Sequence, residues 1–229
     1  MEKMKRYAVY YAPPPGDFAD LTAAWLGWDA ARGCAVAHPD LPGLPMAAQA
    51  LTHAPRKYGF HGTLKPPFRL AEGRTLAGLQ AACADLAAGL APVTLPGLAL
   101  QRIGGFLALT PEGGSAALQD LAAKVVTGLD GFRAGLTPAE IARRRPERLT
   151  VRQRELLDLW GYPYVLEEFQ FHLTLTDDLP PDVAEATVRV VGPYLAPALP
   201  RPFRIEALCL FGEDAEGRFH LLQRYPLLG

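Results

Sequence analysis

The stretch "RKYGFHGTLKPPFRL", Arg56–Leu70, decides the fold of this chain. Its aromatic and β-branched residues, followed by two prolines, predict a β-strand over residues 59–70. Because side chains at i and i+2 share one face of a strand, we expect His61, Thr63 and Lys65 to line a common face. A single His-x-Thr triplet carries little information, since an ordinary core histidine explains it equally well.

A second copy of the triplet changes its meaning. The stretch "FQFHLTLTDDL", Phe169–Leu179, places His172 and Thr174 at the same spacing, and leucine follows the threonine in both copies. The sequence holds only five histidines, and two of them open this four-residue pattern. We expect the second copy to lie in a strand over residues 168–177, with His172 and Thr174 on one face. The repetition indicates a shared role for the two histidines.

The elements around the two triplets also repeat in order. Both halves of the chain read as strand, helix, strand, strand, so we expect an α+β fold with two pseudo-symmetric lobes. The prediction is one bilobal domain over 1–229, with approximate halves 1–135 and 165–229, a helical insertion at about 136–164, and two antiparallel sheets flanked by helices around a cleft. The expected elements are strand 59–70, helix 75–91 capped by Thr75, strands 93–103 and 105–111, helix 115–130 capped by Ser115, strand 168–177, helix 181–196, and strands 203–212 and 217–224. Before them, "RYAVYYAPPP" reads as a strand and "DFADLTAAWLGWDAARG" as a helix with Asp17 as its cap and Gly33 near its end.

Composition and charge narrow the function. The formal charge is −1 and 49% of the residues are hydrophobic, which indicates a folded globular chain without the broad basic field of non-specific nucleic-acid binding. A small substrate, or one recognised at a local site, fits this charge better than non-specific binding of nucleic acid does. Cys34, Cys83 and Cys209 are widely spaced and form no CxxC pair, so we predict no disulfide framework, no zinc site and a reducing cytoplasm. No apolar run is long enough to span a membrane.

The two triplets carry a recognisable chemistry. Two imidazoles that titrate near neutrality can divide the work of general base and general acid, one activating water and the other protonating a leaving oxygen. Two hydroxyl groups beside them can donate hydrogen bonds to phosphate oxygens and stabilise the charge that develops there. This arrangement suits in-line attack on a phosphodiester without a metal. The sequence also has no GxxxxGK[ST] loop and no convincing GxGxxG, so we expect no cofactor.

The motifs "HGTL" and "HLTL" resemble the H-x-[ST]-hydrophobic signature of the 2H phosphoesterase superfamily, the LigT-like or cyclic phosphodiesterase-like proteins. The resemblance implies a bilobal LigT-like fold over most of the chain. More narrowly, "RYAVYYAP", "KYGFHGTLKPPFRL" and "FQFHLTLTDDL" are similar to a bacterial branch associated with phosphonate metabolism. That setting implies a 1,2-cyclic phosphate of ribose 5-phosphate as one candidate substrate. The charged segment from about Thr137 to Tyr164 is longer than a minimal relative needs. Substrates of smaller relatives, such as RNA ends with a 2′,3′-cyclic phosphate, are therefore a poorer guide to the substrate of this chain.

We therefore predict a 2H-type cyclic phosphodiesterase acting on a small sugar phosphate or nucleotide, with His61 and His172 as catalytic residues and Thr63, Thr174 and Lys65 as substrate-binding residues. Which histidine is the acid stays open, as does the oligomeric state. Two alternatives remain: a non-catalytic sensor that binds a cyclic phosphate or nucleotide in the same cleft, and an enzyme that processes RNA 2′,3′-cyclic phosphate ends.

Other residues are open to more than one interpretation. Arg56 and Lys57 are further candidate cations, and one of Tyr7, Tyr10 and Tyr11 is a candidate substrate contact. The run "RRRPERLTVRQRE" is either a basic lid or a solvated helix face. We expect Tyr162 and Tyr164 to be packing residues of the second lobe, and the three histidines without a threonine partner to be structural or surface residues; they are His38, His53 and His220.

Overall fold

The computed structural model describes residues 4–229, and residues 1–3 of the predicted domain lie outside the described part. Its helices are α1 (Asp17–Leu26), α2 (Ala48–Leu51), α3 (His53–Arg56), α4 (Leu76–Ala88), α5 (Ala116–Gly128), α6 (Pro138–Arg143), α7 (Val151–Trp160) and α8 (Pro181–Leu195). Its strands are β1 (Arg6–Tyr11), β2 (Trp28–Asp29), β3 (Cys34–Ala35), β4 (Gly62–Phe68), β5 (Val93–Leu95), β6 (Leu98–Ile103), β7 (Phe106–Pro111), β8 (Leu173–Thr174), β9 (Phe203–Ile205), β10 (Ala207–Glu213) and β11 (Phe219–Pro226). Short 3₁₀ helices cover Asp130–Phe132, Pro146–Arg148, Leu166–Glu168 and Ala196–Ala198.

One antiparallel sheet of seven strands dominates the fold, in the order β11-β10-β1-β4-β8-β7-β6. Two further sheets, β2-β3 and β5-β9, have two strands each. The predicted α+β class, with antiparallel sheet flanked by helices, is confirmed. The structure corrects one detail, because the two large sheets expected from the repeat meet in a single sheet. A single backbone pairing, Gly62 opposite Leu173, joins β4 to β8 at the centre.

The two halves of the sequence exchange strands in space. Strand β4, from the first half, lies beside β1 and next to the C-terminal pair β10 and β11. Strand β8, from the second half, pairs with β7 of the first half. The sequence division into 1–135 and 165–229 therefore does not coincide with the two halves of the sheet.

The two faces of the sheet are covered differently. One face carries the main hydrophobic core, in which Val9, Leu64 and Leu173 of the sheet pack with residues of the flanking helices such as Leu79 and Val125. The opposite face carries a smaller cluster around β1, β10 and β11, whose members include Tyr10, Trp28, Phe211 and Phe219. The smaller cluster covers only the part of this face formed by β1, β10 and β11.

Local signals explain where several elements begin and end. Thr75 and Ser115 cap α4 and α5 as predicted, each accepting a hydrogen bond from a backbone N–H three residues on. Helix α1 ends earlier than expected, at Leu26, because Gly27 adopts the left-handed conformation (φ 79°) that terminates helices. The N-cap of α1 is Gly16 rather than Asp17, and no side chain caps that helix. The strand predicted over 168–177 is reduced to Leu173–Thr174.

The insertion consists of α6, a 3₁₀ turn and α7. Thr137 and Thr150 each form a capping box with the third residue of the helix that follows, and the chain breaks at Pro146 as expected. Arg69 at the end of β4 holds the insertion through two hydrogen bonds from its guanidinium group to Glu140. The segment is thus fixed against the strand that carries the first motif.

Candidate active site

The pairing of Gly62 with Leu173 brings the two motifs together. Residues that face each other across an antiparallel pair point to the same side, and their neighbours point to the other. Thr63 therefore faces His172, and His61 faces Thr174, all four on the side opposite to the main core. Two imidazoles and two hydroxyls alternate at the corners of this patch, which we call the HT patch. The predicted shared face of each His-Thr pair agrees with this geometry.

Gly62 makes the junction possible. A Cβ atom at this position would lie 2.3 Å from Cζ of Phe171, far inside van der Waals contact. The ring of the buried Phe171 therefore fills the space under Gly62 on the core side. This packing explains why the first motif has glycine where the second has leucine: a side chain at position 62 would overlap the ring of Phe171, which precedes the second motif.

Each motif holds its imidazole in the same way. Nδ1 of His61 lies 2.9 Å from the carbonyl oxygen of Gly59, and Nδ1 of His172 lies 2.8 Å from that of Gln170. Because a carbonyl oxygen only accepts hydrogen bonds, Nδ1 carries the hydrogen in both rings. Nε2 of each neutral ring is left with a free lone pair. The two histidines are thus prepared to accept a proton at the same atom.

The surroundings of the two rings lower both pKa values. Burial lowers the pKa of His61 from 6.5 to about 4; the bond to Gly59 opposes this shift and the nearby His172 adds to it. Burial also lowers the pKa of His172, against the opposing bond to Gln170. The ring of Tyr10 stacks on His61 with centroids 3.9 Å apart, whereas His172 contacts Phe106 at 5.5 Å. Both shifts favour the neutral form of the rings when no anion is bound.

The threonines of the HT patch offer hydroxyl groups to a ligand. Thr63 and Thr174 are half-buried, and their hydroxyls have no protein partner within the described residues. Thr176, two residues further on, behaves differently because it is buried and its hydroxyl bonds to the backbone of Leu107 and Asp177. Of the hydroxyls in "HLTLT", only that of Thr174 is available to a phosphate oxygen.

Lys65 does not join the patch, so the prediction that it shares the face of His61 is wrong. Thr63 lies opposite Tyr10, but Lys65 lies opposite Val9, so Leu64 is an extra residue in a β-bulge that reverses the alternation. The side chain enters the core side, where its Nζ lies 2.9 Å from the carbonyl oxygen of Val126 and 3.1 Å from Oδ1 of Asp130. Burial lowers the pKa of Lys65, and Asp130 opposes that shift.

The other candidate residues divide between structural and peripheral positions. Arg56 donates to the carbonyl oxygens of Leu26 and Gln49 and is thereby occupied. Lys57 is exposed, with its Nζ 4.9 Å from the ring centroid of Tyr58. Of the three histidines without a threonine partner, His38 bonds to a backbone carbonyl, His53 is exposed, and Nε2 of His220 lies 2.7 Å from Oδ2 of Asp214, within hydrogen-bonding distance.

A cleft of about 490 Å³ opens beside the HT patch. It is walled by β7, by the loop before it, and by the chain that leaves α7. Tyr162 and Tyr164, expected to be packing residues, line this cleft, and so does Gln153 of the insertion. The charged face of "RRRPERLTVRQRE" points largely to solvent, and within the insertion only Gln153, Tyr162 and Tyr164 line the cleft. The lining residues include Thr63, Leu64, Pro66, Phe106, Gln153, Tyr162, Tyr164, Phe169, Gln170 and His172.

Sequence reasoning missed the tyrosines because Tyr162 and Tyr164 follow a charged helix and match no motif. The one available signal was Gly161, which ends α7 in a left-handed conformation and turns the chain back towards the sheet.

In residues 4–229 no group of three or more His, Cys, Asp and Glu side chains is placed to hold a metal ion. Nor does that part of the chain contain a helix of the length and apolarity needed to cross a bilayer.

Fold and patch together define an α+β protein with paired H-x-T-L motifs on neighbouring strands, which agrees with the resemblance to 2H phosphoesterases. Residues 63–220 match the family model described as "Protein of unknown function (DUF1045)". The chain belongs to that family.

Two curated proteins are similar to this chain over most or all of its length. A "Ribose 1,5-bisphosphate phosphokinase PhnN" from Janthinobacterium sp. (strain Marseille) is 37% identical over 235 residues, which cover 100% of this chain and 52% of the relative. A protein of the same name from Laribacter hongkongensis (strain HLHK9) is 38% identical and matches 93% of this chain and 49% of the relative. The chain spans about half the length of these curated relatives.

Solved structures resemble the chain more distantly. E. coli LigT in apo form has a TM-score of 0.48 at 15% identity, and E. coli LigT complexed with phosphate has 0.46 at 14%, each match covering 100% of both chains. A structure described as a phosphoesterase has a TM-score of 0.43 at 17% identity and covers 99% of this chain and 100% of its own.

Proposed function

We propose that this protein is a phosphoesterase that hydrolyses a cyclic phosphodiester of a small sugar phosphate or nucleotide, by acid–base chemistry at the HT patch. The observation that carries the proposal is the pairing of Gly62 with Leu173, which supports two imidazoles with free Nε2 atoms and two unengaged hydroxyls on one face. Two-histidine acid–base catalysis with hydroxyl donors to the phosphate needs this set of groups.

In the proposed reaction, one histidine takes a proton from water through Nε2 as the water oxygen attacks phosphorus. The bond between phosphorus and one ring oxygen breaks, and the other histidine, protonated, gives its proton to that oxygen. The product is a phosphomonoester with a free hydroxyl. Thr63 and Thr174 donate hydrogen bonds to the non-bridging oxygens. The bound anion raises the pKa values of the neutral histidines, which supplies the protonated partner.

The relatives' names bear on the substrate. Their name refers to a ribose bisphosphate, and in each the part that matches this chain is about half of a longer protein. We infer that the joined parts act on related ribose phosphates, which favours a cyclic ribose phosphate such as the 1,2-cyclic phosphate of ribose 5-phosphate. We do not extend the kinase activity in that name to this chain, since its sequence contains no GxxxxGK[ST] loop to hold a nucleotide.

A substrate panel tests the proposal. The protein is incubated with cyclic ribose phosphates, nucleoside 2′,3′-cyclic phosphates and an RNA with a 2′,3′-cyclic end, with and without EDTA, and phosphomonoester formation is followed by phosphorus NMR. We expect turnover of at least one small cyclic phosphate that survives EDTA and is abolished in the His61→Ala/His172→Ala double variant. Binding of a cyclic phosphate without product would favour the sensor, and turnover confined to RNA would favour end processing.

A further inference from the structure

The cleft beside the HT patch has an unusual charge pattern for the pocket of a phosphorylated substrate. None of its lining residues in the described part of the chain is a lysine or arginine, whereas two are carboxylic acids, Glu168 and Asp178. Glu168 accepts a hydrogen bond from the side chain of Gln153. The patch itself provides donors for one phosphate group only. A second anionic group on the substrate needs a cation from outside the immediate lining.

Arg144 lies against a residue that lines this cleft. The carbon at the centre of its guanidinium lies 4.6 Å from the ring centroid of Tyr162, which lines the cleft. The side chain is half-buried, and no carboxylate of residues 4–229 pairs with it. By contrast, Arg69 and Arg152, which lie beside and within the same insertion, are ion-paired with Glu140 and Glu167. Partial burial of an unpaired guanidinium costs free energy, which an incoming anion offsets.

The backbone around Arg144 is held in a defined conformation. Arg144 follows the last turn of α6, and its N–H bonds to the carbonyl oxygen of Ile141 at 2.9 Å. The next residue, Arg145, has φ 49°, a left-handed conformation that non-glycine residues rarely adopt and that is enriched at functional sites. The ion pair of Arg69 with Glu140 ties α6 to the end of β4. The position of Arg144 relative to the cleft is therefore set by the fold.

We propose that Arg144 is a substrate-specificity residue, whose guanidinium binds a second phosphate group on the cyclic phosphodiester that is held by the HT patch. The planar fork of arginine matches phosphate oxygens, and stacking on Tyr162 orients it. The inference rests on the proposed function and narrows its substrate class to cyclic phosphates that carry an additional phosphate. It also gives the insertion a role, because the end of α6 places this residue against Tyr162, a wall residue of a cleft whose described lining lacks a cation.

A matched pair of substrates tests the inference. Ribose 5-phosphate 1,2-cyclic phosphate is compared with ribose 1,2-cyclic phosphate, which lacks the 5-phosphate. The wild type is expected to prefer the phosphorylated compound, and Arg144→Ala to lower kcat/KM for it by about 10- to 100-fold, the range of a lost charge-assisted hydrogen bond. For the compound without the 5-phosphate, Arg144→Ala should leave kcat/KM unchanged. Arg144→Lys should recover part of the preference, and Arg148→Ala, an exposed neighbour, should change neither substrate.

The outcomes separate this inference from the proposed function. Equal loss with both compounds would assign Arg144 a merely structural role, and no loss with either would leave it no role in specificity; each result overturns the inference. Turnover of the compound without the 5-phosphate supports the proposed function independently of Arg144. If the wild type turns over neither compound, calorimetric binding of the same pair to the wild type and to Arg144→Ala decides the question. Equal affinity of both proteins for the 5-phosphorylated compound would then overturn the inference.

Discussion

The two H-x-T-L strands occupy unlike surroundings although their local geometry is the same. β4 is a seven-residue strand paired on both sides, and Tyr10 stacks on His61. β8 has only two residues, and His172 precedes it at the wall of the cleft. Both imidazoles nevertheless donate Nδ1–H to the carbonyl two residues before. His61 stacks on Tyr10 inside the sheet and His172 contacts Phe106 at the cleft wall, so the same local hydrogen bond is kept in two different surroundings.

Removing either histidine tests whether the two positions do equal chemical work. We expect His61→Ala and His172→Ala each to lower kcat by about 10²- to 10⁴-fold, the usual contribution of general acid–base catalysis. Hydrolysis of the substrate found in the panel is the measurement, with circular dichroism to check folding. His53→Ala alters an exposed histidine outside the cleft and serves as the control. Substantial turnover by either single variant would contradict the two-histidine mechanism.

The hydroxyl groups of Thr63 and Thr174 test whether both motifs contact the phosphate of the substrate. Thr63→Val and Thr174→Val keep the shape of the side chain and remove the hydroxyl, so each should lower kcat/KM by about 10- to 100-fold if it donates to a phosphate oxygen. Thr94→Val, at an exposed position in β5, should have no effect. Unchanged steady-state kinetics in both patch variants would show that the hydroxyls do not contact the phosphate.

Gly62 is the point at which the two motifs differ, and a methyl group there tests the junction. We expect Gly62→Ala to lower the free energy of unfolding by about 1–3 kcal/mol, the usual cost of overpacking, because the new Cβ overlaps the ring of Phe171. Urea denaturation measures the loss. Adding Phe171→Leu makes room for the methyl group, so the double variant should be more stable than the sum of the two single effects predicts. Strict additivity would show that the two side chains do not compete for the same space.

Titration of His61 compares the surroundings of its ring in the folded and unfolded chain. The pKa of His61 is about 4 in the folded chain and about 6.5 when unfolded, so the unfolded chain binds more protons between those values. The free energy of unfolding is therefore not reduced by this group above pH 6.5, and it falls as the pH is lowered from 6.5 towards 4. His61→Gln should flatten the decline in unfolding free energy between pH 7.5 and 5.0, measured in urea. An identical decline in wild type and variant would mean that the ring titrates normally.

The sequence predicted the parts of this fold that depend on local signals. The caps at Thr75 and Ser115 and the break at Pro146 follow from turn and capping chemistry, which acts within a few residues. A strand does lie in each motif as predicted, but each begins one residue after the histidine, and the second has only two residues. The alternation rule also placed His61 and Thr63 together, because no irregularity falls between them.

What the sequence could not show depends on distant partners. The bulge at Leu64 turns Lys65 into the core, and only the register against β1 reveals it. The exchange of strands between the halves and the approach of Tyr162 to the cleft likewise arise from pairing and packing across long stretches of chain. Neither leaves a periodic trace in the residues concerned.

The exchange of strands has a consequence for how the HT patch forms during folding. β1 pairs with β10, about two hundred residues away, and β4 meets β8 only when both halves are present. Contacts so distant in sequence form late and slowly, because the loop must close before the pairing stabilises it. During refolding, helices such as α4 and α5 are therefore expected to form before β4 pairs with β8. Formation of the HT patch in this chain therefore requires completed closure of the central sheet.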